Sequence, residues 1–310
     1  MTKLLIGDNS FIGVSHLSQE RARERTENLT IASIVDIIKT ASACGATGYT
    51  FSTHPVNLQI LTELKKSEKI QDRLELYPVL PYAQAYVRLA NEKGMRGLVD
   101  ETLSKLPLLE RTRTVLQTGY STLRLDVAGI LKSYLDIELT PYINAKPKNS
   151  NLQSVLLHEV ATDLCVGLHN MQFLETFAQQ IKDKYHVTPG FVTYNLVSFV
   201  KLFQEQGVSL EDVLIMTPFN KIGYQMSQSL ETCESCLSNL HQGEVIAMSI
   251  LAGGYLNLNQ ALDYLRTLPH LSGIAVGVSS TTHAKDTFTQ LNLLPKQEPL
   301  SAQHREQAPR

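Results

Sequence analysis

The sequence predicts an α/β protein whose core is a parallel (β/α)8 barrel. Short apolar runs rich in β-branched residues alternate along the chain with longer amphipathic stretches, which is typical of parallel strands covered by helices. A chain of 310 residues has the length of one such barrel, and 43% hydrophobic residues are enough for a single large core. We therefore expect one TIM-barrel domain over residues 1–294, followed by a polar, disordered tail at 295–310.

Eight segments are predicted to form the barrel strands. They are residues 4–10, 48–53, 74–81, 154–160, 190–196, 213–220, 245–251 and 273–280. Amphipathic stretches such as 171–186 and 258–269 lie between them and predict the covering helices. The first helix is expected to begin after Thr30, whose hydroxyl can cap it, and to end at Gly45. Right-handed crossovers would close these units into a barrel.

Residues 83–150 are too many for a minimal strand and helix unit. Several helical stretches in this region favour a helical insertion after the third strand, on one side of the barrel mouth. The segment DIELTPYI, residues 136–143, instead has the composition of a further strand, which would shift the strand numbering by one. Both interpretations stay open at the level of the sequence.

The charge and the apolar pattern exclude several classes of partner. A formal net charge of -2 gives no basic surface for nucleic acid or for an anionic membrane. No stretch approaches the roughly 18 apolar residues of a membrane span, and the first apolar run is too short for a signal peptide. We expect a cytoplasmic protein that acts on a small molecule, with its oligomeric state, including a homo-oligomer, left open.

The four cysteines are expected to be reduced thiols, since the chain shows no export signal. Cys233 and Cys236 form a CxxC motif, which can bind a metal or carry redox chemistry. No second ligand pair lies nearby, and the surrounding stretch is typical of a helix. Two helical cysteines are therefore the simpler interpretation.

Polar side chains follow almost every predicted strand. In a parallel barrel the carboxyl ends of the strands line a common mouth, and the chemistry of such barrels takes place there. The candidate catalytic residues are Asp8, His54, His158 and Lys221. The candidate substrate-binding residues are Asn9, Ser52, Tyr82, Glu159, Asn195 and Asn220.

His158 follows the apolar run SVLL and precedes Glu159. Neighbouring strand residues point to opposite faces, and we expect His158 to be the one that points into the mouth. An imidazole titrates near neutral pH, so it can act there as a general acid or base. A hydrogen-bonded core histidine is the alternative.

Lys221 directly follows the predicted strand 213–220. An ammonium group at this point can pair with a phosphate or carboxylate, or form a Schiff base. A solvated loop lysine is the alternative. Asp8 interrupts an apolar run, and its carboxylate can orient a substrate hydroxyl, bind a cation or only cap local amides.

A divalent metal is a further alternative. Asp8, His54, His158 and Glu159 could converge as its ligands, although no HxH or HxxE spacing supports this site.

The last two strand ends combine glycines with small hydroxyl side chains. Barrels often bind phosphate here, where backbone amides and a helix amino terminus meet the anion. The alternative is that these glycines only make tight turns. The predicted cofactor-binding residues are Ser249, Gly253, Gly254, Gly277, Ser279 and Ser280.

Residues 154–290 resemble the aldo-keto reductase superfamily in the order and spacing of their segments. VLLHEV is similar to the family's fourth strand, which ends in a catalytic histidine, and His158 matches that position. VIAMSILAGG and IAVGVSS resemble its seventh and eighth strands, which hold the nicotinamide dinucleotide. The resemblance therefore implies NAD(P)H as the cofactor.

The chain departs from that family at the residues that assist the histidine. The reductases use a Tyr proton donor with an Asp and a Lys behind it, where this chain has FSTHP and PVLPY. Ser52 takes the position of the aspartate, and Pro78 and Pro81 lie in the region of the lysine. The Ser-Asn pair that binds the carboxamide in the reductases is not reproduced in FVTYN. These differences argue against a standard reductase mechanism.

The chain as a whole also resembles an uncharacterised TIM-barrel family of archaea and bacteria. The segments that carry this resemblance are GDNSFIGVSHLSQERARER, STHP, LYPVLPYAQAYVRLANEKG, GFVTYN, MTPFNKIGYQM and MSILAGGYL. Most of them lie at predicted strand ends, which favours an enzyme over a scaffold.

Three functions follow from these observations. The leading hypothesis is a lyase or isomerase that uses acid/base chemistry on a small metabolite bearing a phosphate or carboxylate. His158 would move the proton, while Lys221 and the last two loops hold the anion. The second is a divergent NAD(P)H-dependent reductase of the aldo-keto type, with another proton donor such as Tyr82. The third is a barrel that binds a ligand without catalysis.

Overall fold

The computed structural model describes residues 3–13, 29–66, 74–81 and 127–295, which form a closed parallel barrel. The strands are Lys3–Gly7 (β1), Gly48–Ser52 (β2), Glu75–Leu80 (β3), Asn151–Leu152 (β4), Ser154–Leu157 (β5), Thr188–Val192 (β6), Leu214–Pro218 (β7), Glu244–Met248 (β8) and Leu271–Gly277 (β9). Both β4 and β5 pair with β3, so they occupy one place in the barrel. Pairing of β1 with β9 and of β2 with β3 closes the ring, which confirms the eight predicted strands.

Helices cover the outside of the barrel. Those of the described residues are Ile31–Ala43 (α1), Pro55–Lys66 (α2), Val127–Ala145 (α3), Glu159–Gly167 (α4), Met171–Tyr185 (α5), Leu196–Glu205 (α6), Leu230–Ser238 (α7), Leu258–Leu265 (α8) and Thr281–Asn292 (α9). The predicted cap of the first helix is confirmed, because the hydroxyl of Thr30 accepts a hydrogen bond from the Ser33 amide at 3.2 Å. None of the helices in the described ranges is long and apolar enough to cross a membrane.

Two layers of apolar side chains stabilise the barrel. Alternate strand residues such as Leu5, Leu156 and Ile246 fill its interior. Their neighbours along the strands, such as Ile6 and Phe191, pack outward against the helices. Burying each such side chain contributes about 1.5–3 kcal/mol relative to leaving it in water. The two-residue alternation therefore also decides which residues can reach the mouth.

The alternative of a barrel strand at 136–143 is wrong, because this segment belongs to α3. Leu131, Leu135 and Leu139 recur at every fourth residue and are all buried, which is the period of a helix rather than a strand. The helix packs against α2 and α5, and Asp136 forms an ion pair with Lys184 of α5. Tertiary burial thus overrode the local strand-like composition.

Part of the predicted insertion and most of the predicted tail lie outside the described residues. Residues 127–145 are helical, as the insertion hypothesis expected, whereas residues 82–126 lie outside the described part of the chain. The same holds for the tail from residue 296 onward.

Gly190 of β6 offers a test of packing inside the barrel. A Cβ at this position would lie 2.6 Å from the Leu156 Cγ and 2.8 Å from the Ser154 Oγ. We expect Gly190→Ala to lower the free energy of unfolding by about 1–3 kcal/mol, because the interior has no room for the methyl group. Urea denaturation measures this change.

Gly167, at the end of α4, provides the matched control. An added Cβ there meets no atom within 4 Å. Gly167→Ala should leave the protein equally stable or slightly more stable, since alanine restricts the unfolded chain. Equal losses in the free energy of unfolding of Gly190→Ala and Gly167→Ala would contradict the packing argument.

Candidate active site

His158 lies at the end of the fourth barrel position, directly after β5. Ser154 and Leu156 occupy the inward positions of this strand, so the alternation directs His158 inward as well. Its amide still donates to the Leu80 carbonyl at 2.8 Å, which continues the sheet by one residue. The side chain is 20% exposed, as expected of a group at the edge of the barrel mouth.

The two ring nitrogens of His158 have different surroundings. Nδ1 accepts a hydrogen bond from the Val160 amide at 3.3 Å and thereby caps α4, so the neutral ring carries its proton on Nε2. The Glu159 Oε2 lies 3.2 Å from the same Nδ1. Burial lowers the pKa of His158, and the charge of Asp8 opposes this shift. The imidazole is therefore neutral at neutral pH, and protonation would turn Nδ1 from the amide towards Glu159.

Asp8 forms a buried network at the ends of β1 and β2. Its Oδ2 accepts hydrogen bonds from the Ser52 amide at 2.8 Å, the Ser52 hydroxyl at 2.7 Å and the Asn57 side chain at 2.7 Å. The Asn57 Oδ1 in turn accepts a hydrogen bond from the Tyr49 hydroxyl at 2.6 Å. Burial raises the pKa of Asp8 and these hydrogen bonds oppose the rise. The carboxyl group of Asp8, directly after β1, is thus held at Ser52, where the family resemblance expects an aspartate.

Glu138 is a second buried carboxyl group beside this network, and the sequence did not identify it. Its Oε2 accepts a hydrogen bond from the Thr53 hydroxyl at 2.8 Å, and the residue is 6% exposed. Burial raises the pKa of Glu138 to about 7, although the Thr53 bond lowers it. The four-residue spacing of the leucines in α3 could have revealed it, because that pattern puts Glu138 on the buried face of a helix.

His54 has a capping role similar to that of His158. It precedes α2, and its Nδ1 accepts a hydrogen bond from the Val56 amide at 3.2 Å. Pro55 occupies the first helical position, where its missing N–H costs nothing. His54 therefore stabilises the helix start at the end of β2, close to Ser52 and Asp8.

Asn220 and Lys221 follow β7 but differ in their surroundings. Asn220 is fully buried, and its side chain donates to the Tyr224 carbonyl at 2.8 Å and accepts from the Tyr224 amide at 2.7 Å. It therefore shapes the turn after β7. Lys221 is exposed on the same turn, which favours the interpretation as a solvated lysine.

The other predicted substrate-binding residues are spread around the mouth. Asn9 is exposed after β1, and Tyr82 lies outside the described residues. Asn195 precedes α6, and its amide donates to the Thr193 hydroxyl at 2.9 Å. Its side-chain Oδ1 is buried and has no hydrogen-bond partner within the described ranges.

Tyr194 is a mouth residue to which the sequence assigned no role. It continues the inward alternation of β6, and its amide donates to the Asp163 Oδ2 at 3.1 Å. Burial raises the pKa of its phenol, and the nearby charge of Glu159 adds to this rise. The bond to Asp163 ties Tyr194 to α4, the helix that His158 caps.

The predicted cofactor-binding residues after β8 form a tight turn. Gly253 and Gly254 have φ angles of 69° and 109°, a region that suits glycine, so the turn explains both residues. Ser249 also has a positive φ, and its hydroxyl donates to the Gln225 Oε1 at 3.3 Å. These contacts favour the tight-turn alternative for this loop.

The end of β9 is more open. Gly277 is exposed and pairs in register with Gly7 of β1, so neither strand end carries a side chain there. The hydroxyl of Ser280 caps α9 by accepting from the His283 amide at 3.1 Å. Ser279 lies beside the same helix start, with its Oγ 3.4 Å from the His283 Nδ1. The predicted residues of β9 and α9 therefore form one continuous, accessible edge.

Neither a metal site nor the described cavity coincides with these residues. Within the described ranges, no three His, Cys, Asp or Glu side chains are grouped to hold a metal ion. A cavity of about 440 Å³ lies at the opposite, amino-terminal end of the barrel, where Lys3 and Glu244 form an ion pair. Residues at that end of such barrels contribute mainly to stability.

The comparison with solved structures supports the barrel fold. No family model and no curated protein matches the sequence. One similar solved structure is a Pseudomonas aeruginosa protein that its description assigns to the aldo-keto reductases, with 12% identity, a TM-score of 0.51 and coverage of 92% of this chain and 88% of that chain. Another is the holo form of an aldo-keto reductase from Bacillus halodurans, with 12% identity, a TM-score of 0.50 and coverage of 98% and 90%. At this identity the likeness shows a shared barrel.

The expectation of lyase or isomerase chemistry on a phosphate- or carboxylate-bearing metabolite is wrong by this comparison. The structures that share the barrel are described as aldo-keto reductases, which are oxidoreductases. A strand-end histidine suits both kinds of chemistry, and the sequence pattern alone did not separate them. Of the three hypotheses, the reductase and the ligand-binding barrel remain.

The buried carboxyl of Glu138 leads to a prediction about stability and pH. The pKa of Glu138 is about 7 in the folded protein, against 4.5 for the same group in an unfolded chain. As the pH rises, Glu138 therefore ionises first in the unfolded chain. The wild-type protein then loses stability between about pH 4.5 and pH 7, by roughly 3 kcal/mol in full. Glu138→Gln keeps an acceptor for Thr53 and removes this loss.

Urea denaturation at pH 5, 6, 7 and 8 measures the effect. The variant should gain stability relative to the wild type as the pH rises, with the largest gain at pH 8. Glu63→Gln, at a half-exposed position of α2, is the control and should not gain stability in this way. If the free energy of unfolding depends on pH in the same way in the wild type and in Glu138→Gln, then Glu138 has the same pKa in the folded and the unfolded protein.

Proposed function

We propose that this protein is an NAD(P)H-dependent oxidoreductase of the aldo-keto reductase type, which reduces the carbonyl group of a small molecule at the mouth of the barrel. The observation that carries the proposal is a mostly buried imidazole, His158, at the end of the fourth barrel position and within the electrostatic influence of Asp8. The shared barrel of two reductases, over at least 92% of this chain, supports it.

The edge formed by β1, β9 and α9 fits a dinucleotide. Gly7 and Gly277 leave it without side chains, and a Cβ on Gly277 would come within 3.1 Å of the Ser10 Oγ. The amides at the start of α9 carry partial positive charge, which favours a phosphate group. Gly277, Ser279 and Ser280 would hold the dinucleotide, with the turn after β8 beside it. When bound, the reduced nicotinamide supplies the hydride that is added to the carbonyl carbon.

His158 would bind the carbonyl oxygen through Nε2, because Nδ1 is engaged by the start of α4. In its protonated form it can deliver a proton to that oxygen, while Glu159 beside Nδ1 and the charge of Asp8 stabilise the cation. One hydride on carbon and one proton on oxygen convert the carbonyl into an alcohol.

Asp8 would supply the carboxylate that the reductases take from the end of the second strand. The two hydrogen bonds from Ser52 anchor it there, although Asp8 follows β1 rather than β2. Moving the acidic residue from the end of one strand to the end of its neighbour would keep a negative charge near His158, although the sequence motif at Ser52 no longer contains an aspartate. This substitution is the proposed reason why the family's aspartate is not found at Ser52.

His158→Asn tests the role of the histidine. An asparagine can still cap α4, so the variant should fold with nearly unchanged stability but lose the group that binds the carbonyl oxygen. We expect kcat for carbonyl reduction to fall by about 10² to 10⁴, the usual contribution of a proton donor. The loss of NADPH absorbance with a panel of aldehydes and ketones measures the rate. His241→Gln, on an exposed loop, is the control and should keep full activity.

The pH dependence gives a second readout in the same assay. The wild-type rate should fall as the pH rises through the pKa of His158, which burial holds below 6.5, and this limb should vanish in His158→Asn. Binding of NADPH, followed by its fluorescence, should persist in the variant. A wild-type protein that neither binds NADPH nor reduces any carbonyl would contradict the proposal and favour a ligand-binding barrel.

Ser279→Asp tests the cofactor edge. A carboxylate beside the start of α9 should repel the dinucleotide phosphates, so we expect the Kd for NADPH to rise about tenfold or more. Fluorescence titration measures Kd. Ser238→Asp, at the exposed far end of α7, adds the same charge away from the mouth and should leave Kd unchanged. An unchanged Kd in Ser279→Asp would show that the dinucleotide does not bind at this edge.

A further inference from the structure

A polar cavity opens at the amino-terminal end of the barrel, opposite the mouth. Its volume is about 440 Å³, which falls within the range of small-molecule sites, roughly 300–1,000 Å³. Its walls include the first residues of three strands, because Lys3 begins β1, Thr188 begins β6 and Glu244 begins β8. Lys182, in the last turn of α5, and His186, just beyond it, form another part of the wall. This cavity takes no part in the proposed reduction at the mouth.

The inner face of the barrel changes from apolar to charged at this end. Lys3 and Glu244 occupy inward positions, two residues before Leu5 and Ile246 of the interior core. Their side chains form an ion pair, although β9 lies between their strands. Gly273 of β9 makes this contact possible, because a Cβ there would lie 2.8 Å from the Lys3 Cβ. The barrel interior therefore ends in a pair of opposite charges.

Uncharged polar groups lie in the same cavity wall. Thr188 and Gln153 line the cavity directly. Ser154 pairs in register with Thr188, and its buried hydroxyl has no hydrogen-bond partner among the residues that the structure describes. Tyr77 also lines the cavity, and its hydroxyl donates to the Glu75 Oε2 at 2.7 Å. The wall thus offers hydrogen bonds as well as charges.

Two ion pairs line this cavity, at an end of the barrel whose residues usually contribute stability. The second pair joins the Lys182 Nζ to the Asp212 Oδ2 at 3.8 Å. Ion pairs that water can reach add little to stability, and apolar side chains would close the barrel more effectively. The side chains of Lys3 and Glu244 are 23% and 38% exposed, so both can be reached from the cavity. Contact with a ligand accounts for these charges better than stability does.

The arrangement of the charges decides which class of ligand fits. A simple anion would meet a lysine but also the carboxylate that is paired with it, and a simple cation would meet the reverse conflict. A zwitterion can place its carboxylate at the lysine and its ammonium at the acid, so that every charge keeps an opposite partner. An α-amino acid carries these two groups on the same carbon, and both can therefore reach one ion pair.

We propose that this cavity is a second binding site of the protein, which takes a free α-amino acid with a neutral polar side chain. The carboxylate of the amino acid binds the Lys3 ammonium, and its ammonium group binds the Glu244 carboxylate. Its polar side chain meets the uncharged groups of Thr188 and Gln153. The site is independent of the proposed reductase function, since none of these residues lies at the mouth.

L-Glutamine is the probe, and two truncated relatives test its two charges separately. 4-Aminobutanamide lacks the α-carboxylate, and 4-carbamoylbutanoate lacks the α-ammonium. In ligand-observed NMR titrations of the whole chain at pH 7, we expect glutamine to bind at least about tenfold more tightly than either relative, because each relative loses one charged contact. Failure of glutamine to bind, or equal affinities for all three compounds, would overturn the proposal.

Two variants then assign the charges to residues. Glu244→Gln should weaken glutamine binding by about tenfold or more and make 4-carbamoylbutanoate the preferred ligand, because Lys3 is left without its acid. Lys3→Gln should instead make 4-aminobutanamide the preferred ligand. Glu63→Gln and Lys66→Gln break an ion pair on α2, outside the cavity, and should change none of the affinities.

The opposite changes in preference separate a binding role from a structural one. A variant that is merely misfolded would lose all three ligands alike, and equal losses of all three would contradict the assignment of Lys3 and Glu244. Glutamine should also raise the melting temperature of the wild type but not that of Glu244→Gln. His158→Asn, at the mouth, should keep the wild-type affinity for glutamine. A loss of glutamine binding in His158→Asn would show that the amino acid binds at the mouth instead.

Discussion

The buried bond between Asp8 and Ser52 is the contact on which the candidate site depends. It joins the ends of two neighbouring strands, and through Asn57 it also holds the start of α2. A carboxylate removed from water is costly unless hydrogen bonds satisfy it, and here three donors converge on one oxygen. Because the chain cannot leave these donors unpaired, the geometry of this corner is tightly fixed. Burial raises the pKa of Asp8 and the three hydrogen bonds oppose this rise, so the electrostatic influence of Asp8 on His158 depends on that balance.

The two strand-end histidines combine a structural and a chemical capacity. In both histidines, Nδ1 accepts a hydrogen bond from a backbone amide in the first turn of the following helix. This bond fixes the ring and leaves Nε2 to carry the proton of the neutral imidazole. A cap of this kind is worth about 1 kcal/mol, and it also orients the ring towards the mouth. The core-histidine alternative for His158 and its proposed role in reduction are therefore compatible. The ring is hydrogen-bonded on one side and available on the other.

The mouth divides into sides of different character. Buried acids and their hydroxyl donors lie on the side of β1, β2 and α3, where Asp8 and Glu138 are found. Inclined aromatic rings lie on the side of β7 and β8. His158 follows β5, which lies between these two sides of the barrel. The glycine edge of β1 and β9 lies on the remaining side. Buried acids, aromatic rings and exposed backbone thus occupy different sides of the mouth.

The sequence by itself determined the barrel, its eight strands and the histidine at the fourth strand end. These features depend on the spacing of apolar residues within each strand and helix. The two-residue alternation that predicts an inward His158 can be read from one strand without knowledge of its neighbours. Only the tertiary structure decided that Asp8 meets Ser52, 44 residues away, and that Glu138 meets Thr53, 85 residues away. Such contacts depend on which strands and helices become neighbours, and no local pattern encodes that. The strand-like composition of 136–143 misled for the same reason, because its burial against α2 and α5 made it a helix.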